Sequence, residues 1–98
     1  MDINKLMQQA QAMQKQLEAA NAQLNAMEFE GSASNGLVKI VMNGEYKVVS
    51  VDIDPSILNA SDKDMIQDLI MIATNDATEK IDNSKKEKLG SLTQGLKL

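Results

Sequence analysis

All ten basic residues of this chain are lysines, and it has no arginine, histidine or cysteine. That inventory removes most catalytic chemistry. Without imidazole or thiol there is no common general base, no soft metal ligand, no thiol nucleophile and no disulfide. Serine and threonine hydroxyls have no histidine to activate them, and no glycine-rich phosphate loop precedes a helix. Asp52, Asp54, Asp62 and Asp64 invite a calcium loop, but Ile57 stands where its glycine belongs and Lys63 where its last glutamate belongs. Their simpler roles are strand end, turn and helix cap. No enzyme activity, cofactor, metal or small-molecule substrate is expected.

What remains is cationic. Lys80, Lys85, Lys86 and Lys88 lie close together, and Lys5 and Lys15 stand near the other end of the chain. Ammonium groups can neutralise phosphates without reading bases, so any nucleic-acid affinity would be modest and steeply salt-dependent. No arginine is present for bidentate contact with guanine, and one tyrosine and one phenylalanine cannot build a stacking platform. Binding of this kind is weakly sequence-specific.

The net charge of −4 opposes such a role as a whole, but the charge is unevenly spread. Residues 1–27 balance. Residues 28–79 set ten acids against three lysines, a local −7, and residues 80–98 set five lysines against two acids, a local +3. No apolar run approaches a membrane span and no signal-peptide layout opens the chain, so it is read as soluble and intracellular.

The positioning elements follow from periodicity. Ile3, Leu6, Ala10, Met13, Leu17, Ala20, Leu24 and Met27 alternate at spacings of three and four, a heptad seam on one long helix capped by Asp2. Met27 to Ala33 alternates as a short edge strand with one acidic face. Two β-branched runs then flank Asn43-Gly44, which predicts a hairpin with a two-residue type I′ turn. Pro55 ends the third strand. Ser61 and Asp64 resemble a capping box, and Ile66, Leu69, Ile70, Ala73, Ala77 and Ile81 form the stripe of a second long helix.

The fold class expected is α+β: a long N-terminal helix, a three-stranded antiparallel sheet and a long C-terminal helix, in one domain over residues 1–90 with a flexible tail at 91–98. Val38, Ile40 and Met42 share one sheet face, and Val49 and Val51 belong to a third strand apolar on both sides. A sheet apolar on both faces needs two covers, so the second is expected to be another copy of the chain, meeting these five residues. Antiparallel helices would carry Lys80, Lys85, Lys86 and Lys88 to the start of helix 1, giving an acidic base with a lysine-tipped helical arm. A rival reading is a protein-binding adaptor or chaperone-like module whose arms clasp a partner.

Several short stretches point further in combination. They are Leu6-Met7, Gln9-Ala10-Gln11, Met13-Gln14, Gly36-Leu37-Val38-Lys39, Asn43-Gly44, Val51-Asp52-Ile53-Asp54-Pro55-Ser56, Asp68-Leu69, Asn75-Asp76-Ala77 and Lys85-Lys86-Glu87-Lys88. In this order and spacing the chain resembles the YbaB/EbfC family of bacterial nucleoid-associated proteins along nearly its whole length. The resemblance implies a sheet-joined homodimer with projecting helical arms. It implies a cytoplasmic, nucleoid-associated protein that binds double-stranded DNA and contributes to nucleoid organisation or gene regulation. The implied DNA contacts fall on the Gln/Lys face of helix 1, Lys5, Gln8, Gln11 and Lys15, and on Lys80, Lys85, Lys86 and Lys88.

Overall fold

The computed structural model describes residues 2–94. Helix α1 spans Ile3–Ala26, strands β1, β2 and β3 span Glu28–Ala33, Val38–Asn43 and Val48–Ile53, and helix α2 spans Lys63–Gln94 after two short 3-10 turns. The α+β class, the two long helices and the antiparallel sheet in the order β1-β2-β3 are as the sequence predicts. The molecule measures 71 × 22 × 16 Å. Helix α2 continues past Gly90 to Gln94, and the rest of the expected tail, 95–98, lies outside the described residues.

Asp2 caps α1 as expected, its carboxylate accepting from the Asn4 N–H at 3.1 Å. The start of α2 differs from the capping-box reading. Ser61 lies inside the 3-10 turn Ala60–Asp62, and the side-chain contact there runs from Asn59 Nδ2 to Asp62 Oδ2 at 3.3 Å.

The hairpin turn also differs. Three residues, not two, separate the closing pair: the Asn43 N–H donates to the Lys47 carbonyl at 3.0 Å and the Tyr46 N–H to the Asn43 carbonyl at 3.0 Å. The Asn43 side chain makes the difference, because its Oδ1 accepts from the N–H groups of Glu45 at 2.8 Å and Lys47 at 3.2 Å. Tyr46, at φ +64°, takes the left-handed position that follows a three-residue turn. The tight turn with two left-handed residues lies at Ser34-Asn35 instead. Gly44 serves proximity, not a left-handed φ: a Cβ there would strike the Leu24 carbonyl oxygen and stand 2.9 Å from Asn25 Cα.

Helix α2 crosses β1 and β2, and Leu69, Ala73, Ala77 and Ile81 pack with Ala33, Val38, Ile40, Met42 and Ile57 in the core. The approach is closest at Gly31, where a Cβ would run into the Ala73 carbonyl oxygen and stand 2.8 Å from Ala77 Cβ. This corrects the expected interface. Val38, Ile40 and Met42 are 0%, 2% and 4% exposed beneath the chain's own helix and have no surface left for a second copy. Val48, Val49 and Val51 of β3 are each 53% exposed.

The two sheet edges are treated differently. Asp76 Oδ2 accepts from the Ser32 N–H at 3.0 Å, and Lys80 Nζ donates to the Glu30 carbonyl at 2.8 Å, so α2 side chains occupy polar groups of β1. The Ser32 N–H, opposed by partial desolvation and aided by Lys80 at 3.4 Å, holds the Asp76 carboxyl below its ordinary pKa. Strand β3 carries no comparable cover among the described residues.

The hairpin tip is fastened to α2 as well. The Tyr46 hydroxyl donates to Asp82 Oδ1, and Lys85 Nζ lies 4.3 Å from the centre of the Tyr46 ring. The bond to Asp82, then partial desolvation and the nearby carboxylate charge, raise the Tyr46 pKa above its ordinary 10.0.

Gly31→Ala should therefore destabilise the fold by about 1–3 kcal/mol or more, read by denaturant unfolding, because neither backbone can yield; unchanged stability would contradict the close approach. Because its folded pKa is raised, Tyr46 contributes stability that is complete below the ordinary tyrosine value and lost as pH rises through the folded one. As the sole tyrosine it can be followed by ultraviolet absorbance, and its midpoint should lie above 10.0 and fall in Asp82→Asn. A native midpoint at the free value would remove the Asp82 bond.

Candidate nucleic-acid interface

Helix α1 is bare over most of its length. Its buried residues are Ala20 and Leu24, with Met13 and Leu17 half-buried, and every described residue before Met13 is exposed. Lys5, Gln8, Gln11 and Lys15 are all exposed and stand three, three and four residues apart, which places them in one row along the helix. Heptad patterning keeps these glutamines and lysines off the seam, which is covered only from Met13 onward, while Ile3 and Leu6 are exposed.

The α2 lysines fall elsewhere than the sequence predicts. They do not gather at the start of α1. Lys80 lies beside β1, bound to the Glu30 carbonyl and paired with Asp76. Lys85 is stacked on the hairpin tip. Lys88 Nζ donates to Gln23 Oε1 at 2.5 Å, near the end of α1. The cause is where α2 begins. Its first five turns, from Lys63 to Ile81, are spent on the sheet, about 28 Å at 1.5 Å per residue, and only the remainder runs beside α1.

Where the helices run together they leave an open groove of about 630 Å³ between Gln16, Ala19, Ala20 and Gln23 of α1 and Ser84, Glu87, Lys88 and Ser91 of α2. Small side chains on both helices cause the gap. On α1 the lining begins at Gln16, and the described residues of α1 before Met13 are exposed.

Of the four lysines in the second half of α2, Lys80, Lys85 and Lys88 therefore have intramolecular partners, while the Lys86 side chain is exposed and, like those of Lys5 and Lys15, makes no hydrogen bond or ion pair among the described residues. Of the lysines expected to meet DNA, the outward ones are Lys5, Lys15 and Lys86; Lys39 and Lys63, also exposed, lie on the sheet and at the start of α2. The acidic groups of the sheet, Glu28, Glu30 and Asp52, are exposed at the opposite end of α1. Sequence reasoning missed Tyr46 and Asp82, which hold Lys85 in place. Nothing in the local pattern announces a contact made across 36 residues. Among the described residues no group of three or more acids could hold a metal ion, and no helix is long and apolar enough to cross a membrane.

Known proteins share this architecture. A crystal structure of an uncharacterized protein from Helicobacter pylori superposes with a TM-score of 0.79, covering 94% of this chain and 97% of that one at 24% identity, which bears on the fold alone. A nucleoid-associated protein of Xylella fastidiosa (strain 9a5c) is 47% identical over 97 residues, 99% of this chain and 89% of that protein. One from Xanthomonas campestris pv. campestris (strain B100) is also 47% identical, over 99% of this chain and 90% of its own length. The sequence profile of the YbaB/EbfC DNA-binding family matches residues 1–96, and with the full-length relatives it shows that this chain belongs to that family.

Proposed function

We propose that this chain is a non-enzymatic, low-specificity binder of double-stranded DNA that works as a homodimer in nucleoid organisation or gene regulation. The observation that carries the reading is the exposed row Lys5, Gln8, Gln11 and Lys15 on the bare length of α1. Lysines and amides spaced along one helix face suit phosphate and sugar contacts. Low specificity follows from the absence of arginine and from the positions of the two aromatic rings: Tyr46 is held by α2, and Phe29 packs against the core. Lys86 adds a cation from α2, and Lys80, Lys85 and Lys88 add field from fixed positions. A nucleoid location in the cytoplasm accords with this reading and with the names of the bacterial relatives. The family match weighs against the rival adaptor reading.

Dimerisation is assigned to β3. An exposed apolar edge strand is a template for pairing, and soluble proteins seldom leave one open. Val48, Val49 and Val51 make such an edge, while α2 side chains guard β1. A second copy seated there would join two sheets and send two α1 arms outward, doubling the phosphate contacts available to one duplex.

Two measurements test these assignments. In a salt titration with a labelled duplex, affinity should fall with a slope of about −0.9 per phosphate neutralised, and Lys5→Glu/Lys15→Glu/Lys86→Glu should weaken binding about tenfold or more at low salt. Unchanged affinity in that triple variant would overturn the α1 row. Light scattering should report a dimer at micromolar concentration and a monomer for Val49→Lys/Val51→Lys; a monomeric parent protein would overturn the β3 interface.

A further inference from the structure

We infer that Tyr46 is a positioning residue for Lys85, holding its ammonium in a fixed place for a DNA phosphate; the inference rests on the DNA-binding reading above. Three observations converge. Tyr46 occupies the left-handed region at φ +64°, a conformation that disfavours a bulky side chain and that the turn would accept more easily from glycine or asparagine. Its hydroxyl is bound to Asp82, which sets the ring against α2. The ring then carries Lys85 Nζ at 4.3 Å from its centre, three residues beyond Asp82 on the same helix. A turn that needed only to reverse the chain has no use for an aromatic ring in this strained position.

The chemistry suits the role. An ammonium over an aromatic face is attracted by the ring quadrupole, and the face occupies only one side of it. The group keeps N–H donors directed away from the ring, where a phosphate oxygen can accept. A lysine that is free in solution loses its rotamer freedom on binding, whereas one already held loses less. Asp82 accepts the tyrosine hydroxyl and stays an anion, so the cation offered to a phosphate at this place is Lys85. The hairpin tip is itself closely packed, because a Cβ on Gly44 would strike the Leu24 carbonyl oxygen at the end of α1. The ring is thus held by α2, on a hairpin tip that packs against the end of α1.

A double-mutant cycle in duplex affinity decides the matter. Tyr46→Gly removes the ring while suiting the left-handed φ, so the turn is kept. It should weaken binding about 2- to 10-fold, the range expected for releasing one ordered side chain. Tyr46→Phe, which keeps the ring and loses the hydroxyl, should fall between the parent and Tyr46→Gly. Lys85→Gln should weaken binding and lower the salt slope by about 1. In the Lys85→Gln background Tyr46→Gly should have no further effect. Equal losses from Tyr46→Gly in both backgrounds would reduce Tyr46 to a structural residue and overturn the inference while leaving DNA binding intact. So would a Tyr46→Gly variant that binds as tightly as the parent. No duplex binding by the parent protein at low salt would overturn the DNA reading and this role together.

Discussion

The contact between α2 and β1 at Gly31 is the constraint on which the rest of the molecule depends. With no Cβ at Gly31 and only methyl groups at Ala73 and Ala77, helix and strand backbones approach as closely as chemistry permits. That approach places Asp76 and Lys80 within hydrogen-bonding reach of β1 and buries Val38, Ile40 and Met42 beneath the helix. It also centres α2 over β1 and β2, so that β3 is left without a helix above it. One missing side chain thereby decides which sheet edge is sealed and which is available.

The same placement governs the arms. Because α2 stays on the sheet as far as Ile81, it starts late along α1 and brings its lysines to the base of the arm, where Asp76, Tyr46 and Gln23 take up three of them. Helix α1 has no such obligation. Only its last two turns bury side chains, Ala20 and Leu24, and the remainder carries an exposed row of lysine and glutamine. An acidic protein can in this way present a cationic surface: the negative charge is confined largely to the sheet and the first turns of α2, and the arm carries the cations beyond it. With a Debye length of about 8 Å at physiological ionic strength, the row on α1 is largely screened from the sheet.

Much of the fold was legible in the sequence because it rests on periodicity. The three-and-four spacing from Ile3 to Met27 specified α1, strand alternation specified the sheet, and the stripe from Ile66 to Ile81 specified α2. The row on α1 as a contact surface is what the family resemblance implies. What could not be read depended on contacts distant in sequence. The turn at Asn43 was decided by a side-chain oxygen capturing two N–H groups, which favours a longer turn than the Asn-Gly dipeptide alone suggests. The apolar face of β2 was assigned to a second copy because nothing local says that α2 reaches it first. Gly31 was the available signal: a lone glycine inside a strand often marks close approach of another backbone. The engagement of Lys85 and Lys88 had no local signal, since each is held by a group distant in sequence, whereas Lys80 had one in Asp76, four residues before it on the same helix.

The proposed function divides labour within the molecule: the sheet and most of α2 build the base, and the free length of α1, with Lys85 and Lys86, would meet the nucleic acid. Backbone amide shifts during titration with a duplex at low salt test this residue by residue. The largest perturbations are predicted from Lys5 to Lys15 and at Lys85 and Lys86, with Glu28, Glu30 and Asp52 little changed. Perturbations centred on the sheet, with α1 unaffected between Lys5 and Lys15, would contradict that division.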